Sequence, residues 1–322
     1  MEEKLVKILN EMADYLNISQ MKKLQETLLK HLVENEAKTE EIPNVEYLKM
    51  FIDAKQIEGC SERTLQYYRV TIEHMLGSID TPIRKITTDE IRGYLVDYQK
   101  VNNCSKVTVD NVRRNMSSFF SWLEEEDYIL KSPMRRIHKI KTKQPVKETI
   151  TDEMIEKLRD NCTCVRDLAM IDLLYSTGIR VGELVGLNIS DIDFEERECI
   201  VFGKGDKERR VYFDAKAKLH LQEYIESRTD DNPALFVTLD APHARLKISG
   251  VEIRVRELGR KLNIDKIHPH KFRRTMATRA IDKGMPIEQV QKILGHSQID
   301  TTMQYAIVNQ NNVKVSHRRY IA

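Results

Sequence analysis

Apolar residues recur at helical spacing along most of the chain, beginning near its N-terminus. Between residues 4 and 16 they share one helical face, which predicts an amphipathic helix. Ser19 is placed to cap a second helix with the same period. The polar segment 37–44 contains Pro43 and predicts a linker. We therefore interpret residues 1–41 as a helical N-terminal appendage, with apolar positions at Leu5, Ile8, Leu9, Met12, Leu16, Leu24, Leu28, Leu29, Leu32 and Val33.

A second run of helical periods covers residues 42–136. Ser61, Thr87 and Ser105 each precede an amphipathic stretch, as helix caps do. Glu90 follows Thr87 at the spacing of a capping box. Glycine, proline and paired asparagines separate the stretches. The pattern predicts a compact domain of about four helices.

The pattern changes in the C-terminal part of the chain, which we assign to one domain at 150–322. Apolar and polar positions alternate on both sides of the turn at 203–208, which predicts a β-hairpin. Helical spacing surrounds this hairpin. The fold class is therefore predicted to be mainly α, with two domains and a small antiparallel sheet in the second. The predicted elements are a helix capped by Thr151, an apolar helix at 167–178, the hairpin within 191–213, and helices at 214–229 and 248–263.

The distribution of charge says more than its total. The 322 residues carry a formal net charge of only +2, yet residues 131–147 hold seven Lys or Arg and no acid. Two prolines in this stretch disfavour a continuous helix. We interpret 137–149 as an extended basic linker that contacts the phosphate backbone of double-stranded DNA; the alternative is a solvated linker without a partner. The candidate DNA-binding residues are Arg113, Arg114, Lys139, Lys141, Lys143 and Arg274.

The remaining composition excludes several classes of protein. Five scattered cysteines do not form a disulfide framework, and Cys162 and Cys164 lack the spacing of a zinc site. The N-terminus does not resemble a signal peptide, and no apolar run is long enough to span a membrane. We expect a cytoplasmic protein with no membrane partner.

Residues 268–305, together with an arginine and a lysine earlier in the chain, combine groups that could cleave a DNA phosphodiester. Arginine donates two hydrogen bonds to phosphate oxygens, a lysine on a turn can protonate the leaving oxygen, and a tyrosine can attack phosphorus. Two histidines can assist proton transfer and hydrogen-bond an oxygen of the phosphate. Fixed protein cations replace a metal in this scheme, so we expect no metal and no cofactor. The candidate residues are Arg180, Lys204, His270, Arg273, His296 and Tyr305.

Each of these residues alone also has an ordinary structural explanation. A Gly-Lys-Gly sequence is most often a hairpin turn, and it is not a phosphate-binding P-loop. A histidine and an arginine one turn apart usually form a solvated helix face, and Tyr305 beside Met303 could belong to a core. Only their combination favours the catalytic interpretation.

The order and spacing of the motifs TGIRVGEL, GKG, HKFR and LGHS, followed by Tyr305, resemble the tyrosine recombinase (phage integrase) family. The likeness is strongest to its Xer-type members. It covers about residues 150–310 through specific motifs and extends more weakly over 43–140. It implies a helical core-binding domain and a catalytic domain that together clamp the duplex. It further implies a tetramer on DNA with a specific recombination site.

The resemblance assigns roles to the candidates. Arg180 and Arg273 would grip the scissile phosphate, and Lys204 would be the general acid. His270 would assist proton transfer, His296 would donate to the phosphate, and Tyr305 would form a 3′-phosphotyrosyl bond. Glu183 would brace the site, and the tail 311–322 would dock on a neighbouring protomer. A second recombinase or an accessory protein is left open.

This sequence departs from the family pattern at Arg274, where many relatives have histidine, and at Ala306, where a small hydroxyl residue is common. Neither position carries one of the six catalytic roles. Two other functions remain open at this stage. One is a DNA-binding protein of the same fold without chemistry, and the other is a type IB topoisomerase.

Overall fold

The computed structural model describes residues 2–28, 42–142, 148–203, 208–264 and 266–305, with side chains described from residue 7. The chain divides into two compact units, Met1–Pro145 and Val146–Ala322. No helix of the described residues has both the length and the apolar content needed to cross a bilayer.

The first unit begins with two short helices, α1 (Glu2–Met12) and α2 (Ile18–Leu28). The predicted cap at Ser19 is wrong, because α2 starts at Ile18 and Ser19 lies inside the helix. The Asn17 side chain accepts from the Gln20 backbone, and the Gln20 side chain accepts from the Asn17 backbone. An amide pair thus performs the capping that was assigned to a hydroxyl.

Four further helices form the core of the first unit: α3 (Asn44–Ile57), α4 (Glu62–Ser78), α5 (Thr88–Val101) and α6 (Lys106–Glu125). The side chains of Ser61, Thr87 and Ser105 cap α4, α5 and α6 as predicted, and Thr87 forms the capping box with Glu90. Aromatic rings fill the centre. Phe51 contacts Phe119 edge to face at 5.2 Å between ring centroids.

The segment that follows α6 packs against this unit. A short 3₁₀ helix covers Pro133–Arg136, and Met134 is buried in the helical core. Ile137 and Ile140, within the predicted linker, also pack against that core. The described part of the basic stretch is therefore held on the first unit by its apolar residues.

The second unit contains the helices α7 (Asp152–Asp160), α8 (Val165–Thr177), α9 (Val181–Gly186), α10 (Ala215–Glu226), α11 (Ile248–Lys261), α12 (Pro269–Asp282), α13 (Ile287–Leu294) and α14 (Ile299–Met303). The α8 helix is buried almost all round, which explains its mostly apolar sequence. Thr151 caps α7 as predicted.

A three-stranded antiparallel sheet packs into the same core: β1 (Ile192–Asp193), β2 (Glu198–Phe202) and β3 (Glu208–Tyr212). Cys199 of β2 lies opposite Val211 of β3 and Ile192 of β1. The predicted hairpin is present as β2 and β3. The short strand β1 was not predicted, because two residues are too few to show an alternating pattern.

Candidate active site

Two helix C-termini hold the Arg273 side chain. The α8 helix ends at Gly178 and α13 ends at Gly295, and both glycines adopt left-handed conformations with φ of 63° and 62°. Arg273 donates from Nη1 to the Gly178 carbonyl at 2.8 Å and from Nη2 to the Leu294 carbonyl at 2.6 Å. The last carbonyls of a helix lack partners within it and form its negative end. The guanidinium group satisfies one such carbonyl from each helix.

Arg273 is a buried cation with one hydrogen-bond donor unused. Its side chain is fully buried, and its Nε–H has no partner within the part of the chain that the structure describes. Burial, with a smaller contribution from the neighbouring positive charge of Arg180, lowers the pKa of Arg273 to about 10. The group still carries its charge at neutral pH. An anion bound beside Arg273 would be attracted strongly, because this cation is already removed from bulk water.

Glu183 organises two further arginines. It lies on the first turn of α9, where one carboxylate oxygen accepts from the Arg180 backbone N–H at 2.8 Å and the other accepts from Arg180 Nη1 at 2.8 Å. Arg209, from β3, donates to both oxygens at 2.7 Å. Burial alone would raise the pKa of Glu183, but the hydrogen bonds from Arg209 and Arg180 outweigh it and hold this pKa below its ordinary value.

The end of α13 also contacts these two arginines. Arg209 donates from Nε to the Ile293 carbonyl at 2.9 Å, and Arg180 donates from Nη2 to the Gly295 carbonyl at 3.2 Å. A Cβ at Gly295 would lie only 2.9 Å from Arg209 Cδ, so this residue must be glycine for steric as well as conformational reasons. We call Arg180, Arg209 and Arg273 the arginine cluster.

His296 connects the arginine cluster to Tyr305. Its Nε2 lies 3.0 Å from Arg273 Nη2, which can only donate, so Nε2 is the acceptor. The proton of the neutral ring therefore lies on Nδ1, which is 2.8 Å from Thr302 Oγ1. Burial, followed by the charges of the three arginines, lowers the pKa of His296 to about 4. The ring is neutral at physiological pH.

Tyr305 lies against His296. The two rings are stacked with centroids 6.0 Å apart and planes 27° apart. The backbone N–H of Tyr305 donates to the Thr302 carbonyl at 2.9 Å, so the buried Thr302 holds both His296 and Tyr305. The Tyr305 phenol makes a small electrostatic contribution that raises the pKa of Arg273, against the larger lowering by burial.

The structure therefore brings together four of the six predicted catalytic residues, namely Arg180, Arg273, His296 and Tyr305. His270, exposed on the first turn of α12, is close enough to contribute to the lowered pKa of His296. Lys204 lies outside the described residues. Among the residues that are described, no group of three or more His, Cys, Asp or Glu side chains could hold a metal ion.

The predicted DNA-binding residues are in different environments. Arg113 is mostly buried and donates from Nε to Asp110 at 2.8 Å, whereas Arg114 is 66% exposed. Lys139 and Lys141 are exposed. Lys143 lies outside the described residues. In the second unit, Arg274 is partly buried and donates to the Glu148 carbonyl at 3.1 Å.

Sequence reasoning missed Arg209 and Thr302. Arg209 lies two residues before the buried Val211 on β3. Side chains two residues apart on a strand point to the same face, so both lie on the inner face. A charged residue at an inward position was the available signal. Thr302 had no comparable signal, because a threonine on a short helix is ordinary.

Comparisons with known proteins agree with this geometry. Residues 146–312 match the phage integrase family, and residues 47–130 match the N-terminal SAM-like domain of phage integrases. A tyrosine recombinase XerC from Oceanobacillus iheyensis is 30% identical over 290 residues, which cover 85% of this chain and 95% of that protein.

Two solved structures show the same fold at low identity. A lambda integrase dimer bound to a COC′ core site has a TM-score of 0.69 and 18% identity, covering 88% of this chain and 85% of that one. The XerH site-specific recombinase, bound to its palindromic difH substrate in a post-cleavage complex, has a TM-score of 0.67 and 18% identity, covering 97% and 93%.

The chain therefore belongs to the phage integrase family and is a tyrosine recombinase. This confirms the predicted family, the mainly helical fold with its small antiparallel sheet, and the class of enzyme.

Proposed function

We propose that this protein cuts and rejoins DNA at a specific site through a covalent bond to Tyr305. The Tyr305 phenol gives its proton to His270 as its oxygen attacks the scissile phosphorus, a bond forms between that oxygen and phosphorus, and the bond to the 5′ oxygen breaks. Lys204 donates the proton that the 5′ oxygen needs to leave as a hydroxyl. The 5′ hydroxyl of another strand then attacks the 3′-phosphotyrosyl bond and restores Tyr305. No bond energy is lost, so no cofactor is required.

The observation that supports this proposal most strongly is the chain of contacts from Tyr305 through His296 to Arg273. It links the Tyr305 ring, through His296, to a buried cation that still has an unused donor. A phosphate bound by Arg273 and Arg180 would lie next to the attacking oxygen. Three arginines and one carboxylate give the site excess positive charge, which suits the developing charge of a five-coordinate phosphorus.

His296 becomes a hydrogen-bond donor to the phosphate through a change of tautomer. In the structure its Nε2 accepts from Arg273 and cannot donate. A bound phosphate draws Arg273 Nη2 to its own oxygens and releases Nε2. The Thr302 hydroxyl can donate as well as accept, so it can hold Nδ1 in either tautomer. His296 then donates from Nε2 to a phosphate oxygen while remaining neutral, and His270 assists proton transfer nearby.

The proposal extends to partners and location. We propose that the protein assembles as a homotetramer on two DNA sites, with the tail at 311–322 docked on a neighbouring protomer. A second recombinase or an accessory protein remains compatible with this arrangement. We place this activity in the cytoplasm.

A trapping experiment tests the proposal. The substrate is first selected from a randomised library of duplexes by its binding to the Tyr305→Phe protein. The selected duplex is then nicked beside the cleavage point, so that cleavage releases a short fragment that diffuses away and cannot be rejoined. We expect the wild-type protein to accumulate a covalent DNA adduct, and the Tyr305→Phe protein to bind the same duplex without forming one.

Three outcomes would decide against this function. Binding without an adduct in both proteins would indicate a DNA-binding protein without chemistry. An adduct in the Tyr305→Phe protein would indicate a different nucleophile, such as Tyr320. Relaxation of plasmids lacking the selected sequence, at the same rate as plasmids that contain it, would indicate a topoisomerase.

A further inference from the structure

A groove on the first unit lies between α4 and α5, and none of the predicted catalytic or DNA-binding residues is among the residues that line it. It encloses a cavity of about 500 Å³. The volume is in the range of small-molecule sites. The lining residues are His74, Ser78, Ile79, Asp80, Thr81, Glu90, Gly93, Tyr94, Asp97, Tyr98, Val101 and Asn102.

Three aromatic rings form one part of the groove. His74 lies edge to face with Tyr98 at 5.3 Å between centroids, and Tyr94 and Tyr98 are 5.9 Å apart. The Tyr94 hydroxyl is hydrogen-bonded to His74 Nδ1 at 3.0 Å. Burial, with a contribution from Tyr98, raises the pKa of Tyr94, so this phenol stays neutral. Packing and the hydrogen bond fix the rings before any ligand arrives.

Three carboxylates form the other part. Glu90 is fixed by donors from Thr81 and Thr87, which hold its pKa below the ordinary value and keep it charged. Asp80 and Asp97 are exposed, and neither forms an ion pair or a side-chain hydrogen bond with another described residue. No lysine or arginine is among the lining residues.

We propose that this acidic aromatic groove binds an organic cation that carries alkylammonium groups. Ring faces attract ammonium groups through their quadrupoles, and the carboxylates supply opposite charge at the same place. An aliphatic polyamine matches both features, because its ammonium groups are separated by methylene chains that can lie on the rings.

The same features exclude other ligands. Three negative charges without a compensating cation repel phosphate groups, so the groove does not hold DNA. Metal ions such as Mg²⁺ need converging oxygen ligands, and no such cluster occurs within the described residues. The rings would add nothing to the binding of a hydrated inorganic ion.

Calorimetric titration of the full-length protein with spermidine, without DNA and at about 0.15 M salt, tests the proposal. A second titration uses a short peptide of lysine and glycine. We expect the Asp80→Asn/Asp97→Asn protein to bind spermidine roughly tenfold more weakly than wild type, since two ion pairs are lost. Tyr98→Leu should also weaken binding, whereas Tyr98→Phe, which keeps the ring, should not.

The matched control is Asp53→Asn/Glu125→Gln, which removes two exposed carboxylates of the same unit outside the groove. Its affinity should equal that of wild type. Binding of the peptide in place of spermidine, with the same dependence on Asp80 and Asp97, would support the site and assign the cation to a partner protein. Absence of binding by both probes would overturn the proposal, as would equal losses in the two double variants or equal displacement of spermidine by Mg²⁺ at the same ionic strength.

Discussion

The arginine cluster of the second unit and two lysines of the first unit, Lys139 and Lys141, are held in opposite ways. In the arginine cluster every guanidinium donates to helix-terminal carbonyls, to Glu183 or to both, and Arg273 is fully buried. We call residues 131–142 the basic segment. Its Lys139 and Lys141 are exposed, and they are held in place by the packing of Ile137 and Ile140 and by the hydrogen bond from the Ile140 backbone N–H to Asp110.

Because of this difference, we expect the two sets of charges to have different functions. Buried, oriented cations need little reorganisation when charge develops on phosphorus, so they stabilise a transition state more than a ground state. Exposed lysines remain hydrated, and on binding DNA they release counterions from it. We therefore expect the arginine cluster to control the rate of cleavage and the basic segment to control affinity and its dependence on salt.

Among variants of these two sets of cations, the largest loss of activity is expected for Arg273→Lys. A single ammonium group cannot bridge the Gly178 and Leu294 carbonyls and also reach His296, so the charge remains while its orientation is lost. We expect the single-turnover cleavage rate at saturating DNA to fall about 100-fold to 1,000-fold. DNA affinity should change little.

The control for this prediction is Arg279→Lys on the same helix, because Arg279 pairs with Asp152 away from the site. Its cleavage rate should stay near that of wild type. A loss of affinity in Arg273→Lys without a loss of rate would mean that Arg273 behaves like the exposed cations.

Two adjacent arginines of β3 give the next largest effect. Arg209 points inward to Glu183 and is 12% exposed, whereas Arg210 points outward to Glu198 and is 62% exposed. We expect Arg209→Ala to lower the free energy of unfolding by roughly 3 kcal/mol, because the buried Glu183 keeps only its bonds to Arg180. Arg210→Ala should cost less than about 1 kcal/mol. Urea unfolding at constant pH measures both.

The same pair distinguishes structural from catalytic consequences. Arg209→Ala should also slow cleavage at a temperature where it is fully folded, since Arg180 and the end of α13 lose their common support. Arg209→Lys should recover most of the stability but only part of the rate. Equal cleavage rates for the Arg209 and Arg210 variants would show that Arg209 has no positioning role.

The elements of the site were more predictable than its connections. Gly178 and Gly295 indicate helix ends in the sequence, and the spacing of His270 and Arg273 places them one turn apart on a helix. Capping residues were equally informative at Ser61, because a cap is a local interaction between near neighbours. Local rules apply wherever the partners are close in sequence.

The contacts that join these elements could not be predicted from spacing along the sequence. Arg209 bonds to Glu183, 26 residues away, and to Ile293, 84 residues away, so neither partner is suggested by spacing. The carbonyls that hold Arg273 carry no side-chain signal at all. The requirements of phosphodiester cleavage and the family resemblance pointed to the grouping of Arg180, Arg273, His296 and Tyr305, and the tertiary structure was needed to add Arg209.

A third prediction concerns the neutrality of His296. Its pKa is about 4 in the folded protein, below the value of about 6.5 expected for an unfolded chain. The unfolded state therefore binds the proton more readily. The contribution of His296 to stability is fully present above the unfolded pKa of about 6.5 and is lost as pH falls from there towards about 4.

Comparison with His296→Gln isolates this contribution, because other titrating groups are shared. We expect the stability difference between wild type and the variant to fall by about 1–2 kcal/mol from neutral pH to about pH 4.5, after allowing for partial solvent screening. Urea unfolding at several pH values provides the measurement. A difference that grew as pH fell would mean that His296 is protonated in the folded site, unlike a ring buried among cations.

The smallest effects are expected in the basic segment. Lys139→Gln/Lys141→Gln should weaken DNA binding about tenfold at moderate salt and reduce the slope of log affinity against log salt by about 2, if each lysine contacts one phosphate. The cleavage rate at saturating DNA should not change. The control is Lys49→Gln/Lys100→Gln, which removes two exposed lysines of α3 and α5. Equal salt slopes for the two double variants would mean that the basic segment makes no special contribution.

Asp110 tests whether the position of these lysines matters in addition to their charge. Its carboxylate accepts from Arg113 Nε at 2.8 Å and from the Ile140 backbone N–H at 3.0 Å, so it fixes the segment between Lys139 and Lys141 to α6. Asp110→Asn removes a negative charge, which by electrostatics alone should strengthen DNA binding. We expect the opposite, a loss of about threefold, because the anchor is weakened and ordering the lysines then costs more on binding. Tighter binding by Asp110→Asn would show that net charge, and not the fixed position of Lys139 and Lys141, determines how the first unit holds DNA.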